Sequence, residues 1–415
     1  KPATLAPLLP NGVFGESTVT LRRKTKENRT SDWGGQLPQS LGEPNNPYGK
    51  YGKRKEKGMN ISWLKRGVLL AVLAFASLAV VACSDDDDSA SVSTSNGDSH
   101  EHADTLQTVK DRGVLKCGIS GSLPGFSQLE ADGSYTGFDA DYCRAVAAAV
   151  FGDSSKVEFV ETTGANRFET LASGEVDVLI RNTTWTLSRD SDLKQSFAAP
   201  TFYDGQGMMV KADSPFQTLE DMDGATICVN QGTTTELNLA SQFLERGLTY
   251  TALTFETTDL LQEAFLAGRC DGWTTDKSGL ASRRGVYPEG PDALRILAVT
   301  MSKEPLGPLT RHGDDEWFDI VAWVTFGTFQ AEELGVSSAN VDAQIANPDS
   351  VAVALMLGVG YDGGDVTDMG LAVGPQFMQA VLKQVGNYGE IYEKNITPLG
   401  LEREGSLNAL WTNGG

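Results

Sequence analysis

Short apolar runs alternate with helical patterns from residue 105 to residue 180. Runs rich in Val, Leu, Ile and Phe predict buried strands, and the stretches between them have the spacing of helices. The predicted strands are 114–119, 157–160 and 176–180, and the predicted helices are 139–150 and 167–173. This βαβαβ order is typical of a parallel sheet with right-handed crossovers.

The same order returns in a reduced form further along the chain. Strands are predicted at 205–211, 225–229, 253–255 and 269–275, with helices opening at 233–236 and spanning 260–267. The run 295–299 is expected to return the chain toward the first part. We therefore expect an α/β fold with two lobes and a cleft between them, lobe one taking 105–206 and 298–415 and lobe two taking 207–297.

Helical patterns near 317–334, 376–385 and 391–394 are expected to complete the C-terminal part. In the first of them, Trp317, Phe318, Trp323 and Phe326 stand at near-helical spacing. Such a stripe of aromatic residues is typical of core packing.

Residues 59–82 have the pattern of a secretory signal. Two basic residues precede an apolar run of 16 residues, which is shorter than the ~20 residues of a membrane-spanning helix. The run ends in Val-Val-Ala-Cys, which looks like a bacterial lipoprotein box, so Cys83 is expected to be lipidated and to become the mature N-terminus. A signal-anchor helix is the alternative, but the acidic stretch 84–88 that follows at once disfavours it.

Residues 1–58 contain no Met, and Met59 stands just before the signal. Because a signal peptide works near a true N-terminus, we expect Met59 to initiate translation and 1–58 to be an upstream extension without a packed core. A genuine disordered basic extension is the alternative. Residues 83–104 are rich in Ser, Asp, Asn and Gly, which predicts a flexible tether before the first lobe.

The mature part of the chain is strongly acidic. Residues 83–415 hold 21 Lys and Arg and 50 Asp and Glu, a net charge of about −29. This charge argues against a nucleic-acid partner, whose phosphates require a basic surface. Because the overall charge is negative, long-range electrostatics do not attract anions to this protein. A bound anion therefore has to be held by local hydrogen-bond donors.

Four cysteines remain besides Cys83, namely Cys117, Cys143, Cys228 and Cys270. An even number in an exported protein indicates disulfides, and four cysteines allow three pairings. Pairs 117–143 and 228–270 are favoured because each falls within one lobe, while four buried free thiols are the alternative. A metal site is not expected, since Cys-x-x-Cys spacing is absent and the three His are poorly placed.

Residues 181–190 follow the predicted strand 176–180 and concentrate hydrogen-bond donors. They contain three threonines, Asn182 and two arginines, at the end of a strand where open α/β sheets bind ligands. The planar guanidinium group of an arginine, beside hydroxyl donors, suits a small carboxylate. We choose Arg189 to hold this carboxylate, near Thr184. The alternative for Arg189 is a weak surface pair with a neighbouring aspartate.

A second donor cluster follows the predicted strand 225–229. Thr233 and Thr234 come after Gly232 at a strand–helix junction, where free N–H groups and hydroxyls hold anions. An ordinary helix N-cap with Glu236 in the first turn is the alternative. The equivalent cluster at 183–186 favours the binding interpretation.

Four further residues are candidates for contact with the ligand. Asp276 ends a predicted strand and is positioned to accept from an ammonium group; capping of the next helix is its alternative role. Arg167 offers a second positive charge, or is a solvated helix residue. Phe126 and Leu123 lie in the first strand–helix loop and are expected to cover the aliphatic part of the ligand.

Motifs of known catalytic sites are absent from the sequence. There is no Gly-x-Ser-x-Gly elbow, no His near a Ser or Cys motif and no phosphate-binding glycine loop. We therefore expect a binding protein without a cofactor. The rival is an exported enzyme on the same fold, such as a dehydratase, with Asp276 or Glu236 as acid or base.

Several motifs in order resemble the general L-amino-acid substrate-binding proteins of ABC transporters, within the polar amino-acid group of periplasmic-type receptors. The resemblance covers about 105–413. The motifs lie at 118–141, 166–168, 173–178, 181–189, 232–238, 268–276, 303–308, 317–321 and 384–389. It implies a periplasmic-binding-protein-like fold of type II, with two crossover strands as the hinge between lobes that close on one amino acid.

The resemblance also implies roles for single residues. The arginine at the position of Arg189 holds the α-carboxylate in that family, helped by Thr184, and Thr233 and Thr234 supply further donors. Asp276 matches the aspartate that binds the α-ammonium. Arg167 matches the side-chain carboxylate ligand of glutamate and aspartate receptors, but broad-specificity members carry this arginine too.

Partners and location follow from the same resemblance. The family implies a monomeric receptor that delivers an L-amino acid to the permease subunits of an ABC transporter. Many relatives are freely soluble, whereas a lipid at Cys83 would anchor this protein at the outer face of the cytoplasmic membrane or in the periplasm.

Overall fold

The computed structural model describes residues 104–415. The expected extension 1–58, the signal 59–82 and the lipidation site Cys83 lie outside the described residues, as does nearly all of the tether. Among the helices of 104–415, none combines the length and the apolar character that crossing a membrane requires.

The described chain alternates helices and short strands. The helices are α1 (Thr105–Arg112), α2 (Phe138–Phe151), α3 (Arg167–Ala172), α4 (Leu187–Ser191), α5 (Thr234–Glu245), α6 (Thr258–Leu266), α7 (Lys277–Gly285), α8 (Asp315–Glu333), α9 (Val341–Ala346), α10 (Val351–Leu357), α11 (Phe377–Gln384) and α12 (Tyr388–Asn395). The strands are β1 (Leu115–Ile119), β2 (Ser122–Leu123), β3 (Ser127–Leu129), β4 (Tyr135–Thr136), β5 (Val157–Glu161), β6 (Val178–Leu179), β7 (Gln195–Phe197), β8 (Phe202–Asp204), β9 (Gln206–Lys211), β10 (Ala225–Asn230), β11 (Tyr250–Phe255), β12 (Gly272–Asp276), β13 (Leu294–Ile296), β14 (Glu304–Leu306) and β15 (Leu309–Arg311).

The first lobe is built on a sheet with the strand order β5-β1-β6-β15-β7. β1 runs parallel to β5 and to β6, which confirms the parallel arrangement predicted from the βαβαβ pattern. The apolar helix α2 packs against β1. A disulfide between Cys117 in β1 and Cys143 in α2 joins the two elements, with their Cα atoms 6.0 Å apart.

The second lobe is built on a sheet with the order β11-β10-β12-β9-β13. β10 runs parallel to β11 and β12, while β9 and β12 are antiparallel. A disulfide between Cys228 and Cys270 joins β10 to the residues before β12, with a Cα separation of 5.7 Å. Of the three pairings that the sequence allows, the structure therefore has the one in which each disulfide stays within a lobe.

Two strands cross between the lobes and pair with each other. β8 leads from the first sheet toward β9, and β14 leads back toward β15; they run antiparallel, with Asp204 opposite Glu304. The two crossover strands implied by the resemblance are confirmed. The run 295–299 begins in β13, which stays in the second sheet and runs antiparallel to β9, so it leads the chain back toward the crossover that β14 completes.

The C-terminal helices extend the core of the first lobe. α8, α11 and α12 all pack against α2, and α8 contributes the fully buried Trp317. The prediction that the aromatic stripe of α8 lies in the core was wrong for Trp323 and Phe326, which are 53% and 44% exposed. Their spacing of three residues places both on the outer side of the helix.

Candidate functional site

A cavity lies between the two lobes, at the carboxyl ends of the parallel strands of both sheets. From the first lobe it is lined by Ser120, Leu123, Gly164, Arg167, Arg181, Asn182 and Thr184, and from the second by Asn230, Thr233, Thr234, Thr235, Thr258, Thr275, Asp276, Gly279 and Arg283. In the first lobe these residues follow β1, β5 and β6. In the second, Gly279 and Arg283 lie on α7 and the others lie at or just after the ends of β10, β11 and β12, as expected for a ligand site in parallel sheets.

Three arginines form the basic half of the site: Arg167, Arg181 and Arg189. Arg167 is only 3% exposed, and its Nε atom has no hydrogen-bond partner among the described residues. The guanidinium groups of Arg167 and Arg189 lie 4.8 Å and 5.1 Å from the ring centre of Phe168. None of the three forms an ion pair within residues 104–415, and the acidic groups that attract them, such as Asp276, act from beyond ion-pair distance.

Burial weakens the charged form of these arginines. It lowers the pKa of Arg181 and of Arg189 to about 10, although nearby acidic groups act in the opposite direction. The pKa of Arg167 is lowered well below its usual range, first by burial and then by repulsion from Arg181 and Arg189. A bound anion would relieve this repulsion, so the basic half favours a carboxylate ligand.

Three carboxyl groups form the acidic half of the site: Asp276, which lines the cavity, and its neighbours Asp204 and Glu304, which do not. Asp276 is the last residue of β12, is buried, and does not cap the helix α7 that follows it. Burial and the neighbouring Asp204 and Glu304 raise the pKa of Asp276 well above its ordinary value, against the attraction of Arg167 and Arg189. Burial is also the main reason that the pKa of Asp204 rises to about 6.

Threonine hydroxyls from both lobes meet at Glu304. Oγ1 of Thr184 and Oγ1 of Thr234 are 3.3 Å apart, and they donate to the same oxygen, Oε2 of Glu304, at 2.5 Å and 3.0 Å. A hydroxyl has one proton and two lone pairs. With their protons directed at Glu304, these two oxygens are left as acceptors for a ligand.

The two lobes touch beyond the cavity as well. Oγ of Ser282 in α7 donates to the carbonyl oxygen of Pro124 in the first lobe at 2.7 Å. Gly164 lies so close to the second lobe that a Cβ atom there would stand 2.8 Å from the carbonyl oxygen of Gln231. The structure therefore shows the lobes in a closed arrangement.

The sequence profile of the bacterial extracellular solute-binding proteins, family 3, matches residues 115–335. The chain belongs to this family. The resemblance drawn from the sequence motifs is thereby confirmed, and so is the two-lobed fold of type II.

Two relatives are similar to this solute-binding protein over most of their length. The general L-amino acid-binding periplasmic protein AapJ of Rhizobium johnstonii is 47% identical over 322 residues, which cover 77% of this chain and 93% of the relative. The glutamate/glutamine/aspartate/asparagine-binding protein BztA of Rhodobacter capsulatus is 47% identical over 318 residues, 75% of this chain and 91% of the relative.

A solved structure is similar in fold and sequence. The periplasmic binding protein of an ABC transporter from Brucella ovis, with glutathione bound, superposes with a TM-score of 0.71 at 43% identity. The match covers 76% of this chain and 98% of that chain.

Seven of the nine residues chosen from the sequence as ligand contacts line the cavity of this solute-binding protein. They are Leu123, Arg167, Asn182, Thr184, Thr233, Thr234 and Asp276. Thr233 also has the alternative role that was considered for it, because its hydroxyl caps α5 by accepting from the Glu236 N–H at 3.1 Å. Asn182 has a positive φ of 22°, and its buried Oδ1 atom has no partner among the described residues.

Arg189 and Phe126 are not among the lining residues. Nη1 of Arg189 donates to the carbonyl oxygen of Thr184 at 2.7 Å, so this arginine supports the cavity wall and adds its charge from beside the cavity. Phe126 is fully buried and packs edge-on against Phe138 and Phe202. Its ring belongs to the core of the first lobe.

Several lining residues were not chosen from the sequence. Arg181 stands in the threonine-rich segment, and Nε of this side chain donates to the carbonyl oxygen of Thr162 at 3.2 Å. Asn230 and Thr258 lie at or just after strand ends of the second lobe. Asp276 was chosen because it follows a predicted strand. Asn230 and Thr258 also follow predicted strands, so the same signal could have identified them.

Proposed function

We propose that this solute-binding protein is the receptor of an ABC importer and captures an L-amino acid between its lobes. One observation carries the proposal: the buried guanidinium group of Arg167, the half-buried one of Arg181 and the buried carboxyl group of Asp276 line one closed cavity, and none of the three forms an ion pair within residues 104–415. The α-carboxylate lies against the basic half. The α-ammonium lies against Asp276 and the acceptor oxygens of Thr184 and Thr234.

Charge-assisted hydrogen bonds account for the affinity in this proposal. Each is worth ~1.5–3 kcal/mol, so a handful exceeds the ordering cost and yields micromolar or tighter binding. The ligand joins the two lobes and thereby shifts the protein toward the closed state that a permease recognises. Lipidation of Cys83, a monomeric state, and a location at the outer face of the cytoplasmic membrane or in the periplasm belong to the same proposal.

We propose no catalytic step for the cavity. Glu236, one of the two acid or base candidates, accepts from the Gly232 N–H at 2.9 Å and does not line the cavity. Asp276 lies opposite the arginines, an arrangement suited to holding a zwitterion. If chromatography showed that the purified protein converts a bound amino acid into a product, the rival interpretation as an enzyme would be favoured.

A panel of ligands tests the proposal. The protein is screened by thermal shift against the common L-amino acids and glutathione, which carries a free α-amino acid group and occupies the Brucella ovis structure. Each ligand that raises the melting temperature is then compared in calorimetry with its N-acetyl and its carboxamide derivatives. Both derivatives are expected to bind at least about 100-fold more weakly, because each removes one charged end.

Two results would contradict the proposal. One is a panel without a single stabilising ligand. The other is a derivative that lacks one charged end and still binds as tightly as its parent amino acid.

A further inference from the structure

Glu304 joins the two lobes through its carboxylate. It lies on the crossover strand β14 and is 1% exposed. Oε2 accepts from Thr184 and Thr234, and Oε1 accepts from Nδ2 of Asn238 at 2.8 Å and from the hydroxyl of Ser302. Four donors thus compensate the burial of one carboxylate.

These donors come from three parts of the molecule. Thr184 follows β6 of the first lobe, while Thr234 and Asn238 lie on α5 of the second lobe. Ser302 lies on the crossover segment itself, two residues before Glu304. The carboxylate therefore bonds to both lobes and to its own strand.

Opening of the lobes is incompatible with all of these bonds. The Thr184 and Thr234 hydroxyls are 3.3 Å apart across the lobe boundary, and a rotation that separates the lobes increases this distance. One carboxylate oxygen then loses at least one of the two donors, because hydrogen bonds weaken steeply beyond ordinary length. The complete bridge from Thr184 through Glu304 to Thr234 accordingly belongs to the closed state.

Glu304 and Asn238 do not line the cavity, although Thr184 and Thr234 do. An effect of Asn238 on ligand affinity would therefore act through the lobes and not through a lost ligand contact, whereas Glu304→Gln also changes the charge beside Asp276 and Arg189. This separation allows the role of Glu304 to be tested through Asn238.

We propose that Glu304 is a positioning residue that holds the closed state by bonding α5 to the first lobe from the crossover strand. Its effect on affinity rests on the proposed function, because apparent affinity scales with the population of the binding-competent state. Its effect on the open–closed equilibrium of the ligand-free protein does not depend on which ligand is bound.

The test compares the wild type with Glu304→Gln, Asn238→Ala and Ser302→Ala. Asn238→Ala removes the bond from α5 of the second lobe to Glu304 at a half-buried position, so it remains informative if Glu304→Gln fails to fold. Ser302→Ala is the matched control: it removes a bond to the same carboxylate from a residue of the returning crossover segment, and the other partner of Ser302 is the Gln206 N–H at 3.3 Å, at the start of β9. Small-angle X-ray scattering without and with ligand reports closure, and calorimetry reports affinity.

Glu304→Gln is expected to weaken binding of the best ligand about tenfold or more, and Asn238→Ala several-fold, because each weakens the bridge that is complete only in the closed state. Both should also have a larger radius of gyration than Ser302→Ala at equal subsaturating ligand, or without ligand. Equal affinity and equal scattering of all four proteins would overturn the role of Glu304 and leave the proposed function standing.

Failure of the proposed function gives a different combination of results. If the wild type binds none of the amino acids and the ligand-free variants are nevertheless more expanded, the proposed function falls and the role of Glu304 survives. If the wild type binds nothing and all four ligand-free curves coincide, both proposals are refuted.

Discussion

Asp276 is the residue on which recognition of the ammonium group depends. It is 5% exposed, lies beside two other carboxyl groups, and does not cap the following helix. A buried carboxylate without a local bond is unfavourable unless a ligand supplies the partner. We therefore expect the ligand to supply the partner that the Asp276 carboxylate lacks.

Replacement of this aspartate is expected to abolish detectable binding. Asp276→Ala and the isosteric Asp276→Asn both remove the charge that pairs with the ammonium, a loss of ~2–5 kcal/mol. Calorimetry checks the affinity. Asp213→Asn, which removes the same charge from an exposed turn, is the control and should leave binding unchanged; near-normal affinity of either Asp276 variant would refute the assignment.

Arg189 acts on the cavity from beside it. Arg189→Ala removes a positive charge from the basic half and frees the carbonyl oxygen of Thr184, so binding is expected to fall below detection in calorimetry. Arg269→Ala, at an exposed position of the second lobe, removes an equal charge as a control. An Arg189→Ala protein that still binds at wild-type affinity would show that the basic half does not need this arginine.

The raised pKa of Asp276 makes binding sensitive to pH. Only the ionised carboxylate pairs with an ammonium group, so affinity is expected to be full above the raised pKa and to fall as the pH drops through it. Binding then releases protons, which calorimetry in buffers of different ionisation enthalpy measures. An affinity that stays constant until the pH reaches the range of an ordinary aspartate would contradict this shift.

Stability has the opposite dependence on pH. Because the folded pKa of Asp276 and of Asp204 lies above the unfolded value, the folded state binds more protons than the unfolded state in the interval between them. These two residues therefore make the ligand-free protein less stable as the pH rises through that interval. The acidic half costs stability that a bound ligand restores.

At the scale of elements, the C-terminal segment braces the crossover strand β8. Oδ1 of Asn408 accepts from the Tyr203 N–H at 2.7 Å, and Nδ2 donates to the Tyr203 carbonyl oxygen at 3.0 Å. Arg403 donates to the Asn408 carbonyl oxygen and forms an ion pair with Glu332 of α8. One side chain thus satisfies both backbone groups of a hinge residue.

Asn408→Ala is expected to lower the free energy of unfolding by ~1–3 kcal/mol, because two backbone groups of β8 lose their partner. Denaturant unfolding of the intact chain measures the change. The exposed Asn347→Ala is the control and should stay within ~0.5 kcal/mol of the wild type. Equal stability of the two variants would show that water replaces the Asn408 amide without cost.

The elements that carry the site were predictable because parallel strands leave local signals. Apolar runs followed by polar clusters marked the ends of β6, β10 and β12, and with them Thr184, Thr234 and Asp276. Glu304 left no such signal: its role arises from the register of β14 with β8 and from the approach of α5, which only the complete fold determines. The exposure of Trp323 was missed because aromatic spacing alone does not distinguish the two faces of a helix.

At the scale of the whole molecule, the protein combines an acidic surface with buried positive charge. The chain has a formal net charge of −21, yet the three arginines of the basic half have no ion-pair partner within 104–415. Closure around an empty cavity leaves the arginines of the first lobe and Asp276 of the second lobe buried without a ligand partner, which is unfavourable. A zwitterion supplies a partner to both, which couples ligand capture to closure of the lobes.

A crystal structure grown with the best amino acid of the panel is the most direct test of this coupling. We expect electron density in the cavity between the lobes, with the ammonium group within hydrogen-bonding distance of Asp276 and the carboxylate against at least one guanidinium group of the basic half. An empty cavity, a ligand bound to one lobe alone, or a ligand whose carboxylate points at Asp276 would contradict it.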